Sequence, residues 1–250
     1  MLSNSSLHPH SRLGHLEALE GSRIIERKLE VVANDMANVN TVAFKQQQLT
    51  FHEYLVLQAD GSQRNAKGET AWNEFSQGPL DETGNPFDFA VNGPGFFVIQ
   101  TPDGPRYTRA GNFTLDSQNQ LVTRDGFQVL GDGAPIVLED TSGQGVWLSD
   151  DGIFFVDGSQ VGKIDVVMFD DPESLIQVGE NMYRASDKAG TPTPAESRVR
   201  QGFLEGSNIN AVETMVTLID LHRAYEAQMK ALQTLDEMDG RAVNDLGRPA

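Results

Sequence analysis

Two helical stripes bracket this chain. Near its C-terminal end Met215, Leu218, His222, Tyr225, Met229 and Leu232 recur at spacings of three and four within Gln201–Met238, which predicts an amphipathic helix. Asn208 or Asn210 supplies its cap, since an Asx side chain accepts from the orphan amides of a first turn, and Glu213 suits the positive end of the dipole. The pattern spans about seven turns at 3.6 residues each, and nothing close to it in sequence covers the apolar face. Near the other end Leu16, Leu19, Ile25, Leu29, Val32 and Met36 mark a second helix, from about Arg12 to Asn38. Two such helices predict a hairpin closed by the chain ends or a helix pair completed by other subunits. The simpler alternative docks both as surface helices on a β core.

Between the stripes the period changes. From Phe75 to about Arg200, short apolar alternations such as Phe87–Val91, Gly95–Ile99, Val146–Leu148, Ile153–Val156 and Lys163–Phe169 are broken by Gly, Asp, Asn or Pro turns. That rhythm predicts strands. Residues 46–75 are mixed in character and read as an extended or short-stranded linker, and residues 186–197 as a Pro- and Ser-bearing connector. Residues 1–11 are polar, contain a proline and show no period. The expected fold is α+β: N- and C-terminal long helices pairing as a coiled-coil-like helical layer, with a central all-β domain. Its expected segments are 1–45, 46–75, 76–200 and 201–250.

Charge sharpens this division. The chain of 250 residues carries a formal net charge of −17, which argues against a nucleic-acid partner, because such partners select a basic stripe. Residues 1–50 balance five basic against five acidic side chains, whereas residues 76–200 hold 8 basic against 19 acidic. Near-neutral ends suit packing against like segments, and an acidic middle suits a solvated surface. Cysteine is absent, which excludes disulfides and thiolate metal sites. No apolar run is long enough to span a bilayer, and residues 1–30 lack the apolar core of a cleaved signal peptide.

Candidate chemistry is sparse. His8, His10, His15, His52 and His222 are scattered, and His8 with His10 reads as a tail rather than a metal site. Asp150-Asp151 and Asp170-Asp171 lie beside Gly or Pro, as solvated turns do, and Gly93-Pro94-Gly95 lacks the Lys-Ser/Thr of a phosphate loop. Neither a nucleophile–base pair nor a cofactor site emerges. Arg223 and Glu226 suit a surface pair, and His222 a hydrogen-bonded residue of a helix interface.

Three motifs identify a relationship. Ala33-Asn34-Asp35-Met36-Ala37-Asn38 through Val42-Ala43-Phe44-Lys45 resembles the Ala-Asn-Asn-Leu-Ala-Asn…Thr…Gly-Phe-Lys signature of bacterial flagellar rod and hook proteins. Asp35 replaces the favoured Asn, and Ala43 the favoured Gly. If that Gly serves a positive φ, Ala43 must change the backbone angle or accept strain. Asp88–Gly131, with Gly95-Phe96-Phe97, Tyr107-Thr108-Arg109 and Leu121-Val122-Thr123, resembles the central block of the same family. There Asn119 stands in for a usual Gly, and Asn tolerates the left-handed region. Gln201-Gly202-Phe203-Leu204-Glu205-Gly206-Ser207-Asn208-Ile209-Asn210 with Arg223-Ala224-Tyr225-Glu226 resembles its C-terminal signature.

The resemblance covers about residues 15–240 and implies an axial structural protein without catalysis or cofactor. The ending Tyr225–Lys230 is most similar to proximal-rod members, with distal-rod members next; the middle is too short for a hook subunit. Implied partners are copies of the chain, other rod proteins and the flagellar type III export apparatus, without nucleic acid, small-molecule substrate or membrane insertion. The implied place is the rod in the periplasm, reached without a cleaved signal peptide. Implied assembly residues are Leu16, Leu19, Ile25, Leu29, Val32, Asn34, Met36, Asn38 and Phe44, then Asn208, Asn210, Met215, Leu218, His222, Arg223, Tyr225, Glu226, Met229 and Leu232. A head-to-tail contact that does not close into a ring generates the open helix such a role requires. The competing class is a secreted β-rich binding module, which gains nothing from uncovered stripes at both ends.

Overall fold

The computed structural model describes residues 9–57, 63–138, 145–179 and 181–246, with side chains described for 19–52, 68–138, 145–179 and 181–238. Its contacts divide the chain into a helical unit formed by the two ends and a β unit spanning residues 38–209.

The helical unit contains α1 (Pro9–Ala37) and α2 (Ala211–Leu246). Asn210 caps α2: its Oδ1 accepts from Val212 N at 3.1 Å and Glu213 N at 3.4 Å, the reach expected of an Asx cap. A Cβ added at Gly21 would meet the Gln228 amide at 3.4 Å, so the helices lie against each other there. The expectation of a coiled-coil-like helical layer with a central all-β domain is corrected. The described residues hold two helices and a mostly β region between them, and two helices make a pair rather than a layer. The covered surface of the pair is mixed, with Ile25, Leu29, Val32, Leu218 and Tyr225 among its apolar positions. Gly21, Asp35, Thr214 and Gln228 interrupt that apolar face beside Val31 and Leu232.

In the β unit, the largest sheet runs in the order Ile176–Gln177, Met182–Arg184, Gly104–Thr108, Phe96–Thr101, Gln128–Gly131, Leu121–Val122, Thr114–Leu115. Val166–Met168 also pairs with Phe96–Thr101, in antiparallel register. Phe89–Asn92 pairs with Arg198–Gln201 and Leu80–Glu82 with Phe203–Glu205, so the segment leading to α2 is stitched to the start of the β unit. One core packs Phe89, Phe97, Ile99, Phe113 and Phe154 from several strands. A second holds Phe96, Tyr107, Phe169, Leu175 and Tyr183. Alternation explains both, because Phe96 and Phe97 face opposite sides of one strand.

One feature departs from the expected strand pattern, and one small sheet stands apart from the largest. Gln47–Leu57 and Gln63–Asn73, read from sequence as linker, form an antiparallel ribbon of their own. Such a ribbon is marginal alone, and its root is braced where Glu74 N donates to Gln46 O at 2.9 Å. Val146–Leu148, Ile153–Val156 and Ser159–Lys163 form a separate sheet. On it the ring of Trp147, 49% exposed, stacks on Phe155 at 4.3 Å.

Candidate functional site: assembly surfaces and a buried charge cluster

The helical positions expected to serve assembly separate into two groups. Ile25, Leu29, Val32 and Met36 of α1 are half-buried, while Leu19 is 52% exposed and Asn34 is exposed. Leu16 belongs to α1, but its side chain lies outside the described residues. On α2, Leu218 and Tyr225 are half-buried and Leu232 is buried, whereas Met215 is 50% exposed and Met229 also lies outward. The split is geometric: at 100° per residue, Met215 lies about 60° around the helix from Leu218. His222, Arg223 and Glu226 are exposed, and His222 Nε2 faces Glu226 Oε1 at 3.3 Å, so Glu226 pairs with His222 rather than with Arg223.

Sequence periodicity missed a further apolar surface on α2. Val212, 75% exposed, Val216 and Ile219 join Met215 over its first two turns, at the i, i+3, i+4, i+7 spacing of one helix face. The β-branched trio could have been found by searching for a second stripe in the same segment.

Asn38, Phe44 and Asn208 belong to the β unit. Thr41 Oγ1 donates to Asn38 Oδ1 at 3.1 Å, and the Phe44 ring is buried. Asn208 is not the helix cap. Its Oδ1 accepts from Gln46 N at 2.8 Å, and its Nδ2 donates to Glu74 O at 2.8 Å and Ser76 Oγ at 2.9 Å. One amide thus satisfies three groups on two segments distant in sequence.

These contacts lead to the feature that sequence reasoning missed altogether. Glu205, fully buried, accepts Lys45 Nζ at 2.6 Å and Gly78 N at 3.0 Å through Oε1, and Arg109 Nη1 at 3.1 Å through Oε2. Lys45 also donates to Ser76 O at 2.5 Å, and Arg109 Nη2 to Gly93 O at 2.8 Å. The Arg109 guanidinium lies 5.5 Å from the Phe96 ring centre. Lys45 closes the N-terminal motif, Arg109 lies in the central one and Glu205 in the C-terminal one, so the three motifs meet at one carboxylate. Burial pushes the Lys45 ammonium below its ordinary range; Glu205 opposes that push and Arg109 adds to it.

Ala43 sits beside the cluster. Its φ is +55°, its side chain is buried, and its N–H donates to Glu205 O at 2.7 Å. The chain therefore keeps the left-handed turn and accepts the strain. Ala43→Gly is expected to stabilise the β unit by about 1 kcal/mol, since the left-handed region costs a non-glycine residue about 1–2 kcal/mol and glycine loses part of that gain to chain entropy. Thermal unfolding should show a rise in Tm of a few degrees. Asn119 adopts φ +59°, as its residue type allows.

Tyr183 lies in the neighbouring aromatic core, its ring 4.9 Å from that of Phe75. Its hydroxyl is buried and meets no hydrogen-bond partner among the described residues. Burial raises its phenol above the ordinary 10.0, and Tyr107 shifts in the same direction. With the folded pKa above the unfolded one, the stability these phenols contribute is complete below pH 10 and is lost as pH rises beyond it. Lys45, shifted downward, acts in the opposite sense, gaining stability as pH rises toward 10.5. Tyr183→Phe is expected to be neutral or stabilising at pH 7, because it removes an unsatisfied polar atom. Above pH 10 it should weaken the alkaline fall by up to about 1.4 kcal/mol per pH unit. Tm measured from pH 7 to 11 for both proteins checks this.

Among the described residues no cluster of three metal-ligating side chains occurs and no helix is long and apolar enough to cross a membrane. Comparison with known proteins supplies the remaining link. The family model "Flagellar basal body rod FlgEFG protein C-terminal" matches residues 200–246, and "Flagellar hook protein FlgE/F/G D1 domain" matches residues 90–156. The chain is 35% identical over 229 residues to the flagellar basal-body rod protein FlgF of Caulobacter vibrioides, covering 90% of this chain and 94% of that one. It is 34% identical over 254 residues to the flagellar basal-body rod protein FlgG of Bacillus subtilis, covering 90% and 96%. A second FlgF, from Mesorhizobium japonicum, is 33% identical over 235 residues, covering 92% and 96%. This chain belongs to the flagellar basal-body rod protein family and is a structural subunit, not an enzyme.

Proposed function

We propose that the chain is a proximal-rod subunit that polymerises helically with copies of itself and with other rod proteins, forming part of the drive shaft around the export channel. The observation that carries this reading is the exposed apolar row Val212, Met215, Val216 and Ile219, with Leu19 and Met229. A soluble subunit has no use for such a row, but a heterologous contact that propagates does. In this reading residues 1–45 and 201–250 serve assembly, residues 46–75 connect, and residues 76–200 form the outer body. The implied assembly residues named on α1, α2 and their flanks act there. Delivery is by the flagellar type III export apparatus to the periplasmic part of the rod.

The ending Gln228-Met229-Lys230 favours the proximal position; the comparable identity to FlgG relatives keeps the distal rod as the second reading. A tagged full-length copy, expressed in a strain lacking its own, should appear in purified basal bodies at the proximal rod. A label along the distal rod would select the second reading, and no label in the basal body would reject both.

A further inference from the structure

The Lys45–Glu205–Arg109 cluster is a poor device for stability alone. It withdraws three charges from water, two positive and one negative, and well-packed apolar side chains would serve as well or better. What it supplies is direction. Glu205 is claimed by donors from three stretches of chain: Lys45 and Gly78 donate to Oε1, and Arg109 Nη1 reaches Oε2 at 3.1 Å and Oε1 at 3.3 Å. Apolar groups can slide past one another, whereas hydrogen-bonded charges hold one alignment. The strained Ala43, whose N–H is tied to Glu205 O at 2.7 Å, and Asn208, tied to Gln46 N at 2.8 Å, extend that alignment along both segments.

We propose that Lys45, Arg109 and Glu205 are positioning residues: they lock segments 42–46 and 205–208 side by side, setting where the chain leaves the β unit toward its two helices, and incorporation into the rod requires the lock. The segments lie within a few residues of Ala37, where α1 ends, and Ala211, where α2 begins. Free to slide, the two exits would hold no fixed register, whereas a helical polymer repeats one subunit geometry.

This rests on the rod reading, and the test separates the two. The triple variant K45M/R109M/E205L replaces the lock with apolar side chains; Lys45→Met alone leaves Glu205 paired with Arg109 and Gly78. Each is made in the tagged full-length chain beside the wild type. Both should unfold cooperatively, Lys45→Met with a Tm within a few degrees of the wild type. Amide exchange at residues 42–46 and 205–208 should quicken by about tenfold or more, the signature of a local opening, while that at 96–101 is unchanged. Incorporation into basal bodies should fall to background in both. Wild-type incorporation by a folded variant overturns the lock, as does failure of both variants to fold, which would make the cluster a stability element. Absence of the wild type from basal bodies would instead reject the rod reading.

Discussion

Glu205→Ala should destabilise the β unit by about 3–5 kcal/mol, the range for removing one partner of a buried ion pair. Lys45 and Arg109 would then lose the buried carboxylate that pairs them both, and Gly78 N would lose its acceptor. At this chain length the loss corresponds to a fall in Tm of roughly 6–20 °C, readable by calorimetry. Asp103→Ala is the control. Its carboxylate is 4.0 Å from Arg106 and highly exposed, and such pairs contribute at most about 1 kcal/mol. Equal losses in the two variants would refute the view that burial, not the presence of an ion pair, sets the scale.

The second large effect is expected from a glycine. A Cβ at Gly111 would lie 1.7 Å from Phe89 O and 2.7 Å from its carbonyl carbon, both backbone atoms. Phe89 cannot retreat: its ring is buried, its N–H donates to Gly111 O at 2.9 Å, and its strand is paired to Arg198–Gln201. Gly111→Ala is therefore expected to cost upwards of about 3 kcal/mol, beyond the usual range for overpacking, and to yield little soluble protein. Gly104→Ala provides the contrast. It has φ +108° and nothing within 4 Å of an added Cβ, so it pays only backbone strain, about 1–3 kcal/mol. Comparable soluble yields and Tm values for the two would show that the β unit yields more readily than its close contacts imply.

Much of the β unit was legible because turn residues and period-two alternation act locally. Val146–Leu148 and Ile153–Val156 are strands over the residues their alternation marks. Where the reading merged elements, apolar Ile164 bridged the end of one strand and the apolar run Val166–Phe169. Lys163–Phe169 is the end of one strand and the start of another, Ser159–Lys163 and Val166–Met168. The break falls at Asp165, whose carboxylate accepts from Asp132 N and Gly133 N. The ribbon was missed for the opposite reason. Gln63–Asn73 contains few residues that favour strands, and its partner Gln47–Leu57 supplies the hydrogen bonds that make it one. On α2, periodicity located the helix but placed Met215 and Met229 with Leu218 and Leu232, because spacing in threes and fours does not separate adjoining faces.

The charge cluster was out of reach for a different reason. Lys45 and Glu205 are 160 residues apart and Arg109 and Glu205 are 96 apart. No local rule joins single charges over such separations. Ala43 was nearer to legible, because a departure from a Gly raises a definite question about φ, and the value of +55° answers it.

The stacked Trp147 has a practical consequence. The chain holds 2 tryptophans, Trp72 on the ribbon and Trp147 on the small three-stranded sheet, and neither lies in α1 or α2. Indole emission is thus blind to the helices, while ellipticity near 222 nm is dominated by them. A single sample, watched through both optical channels, reports the loosening of each unit separately without any label.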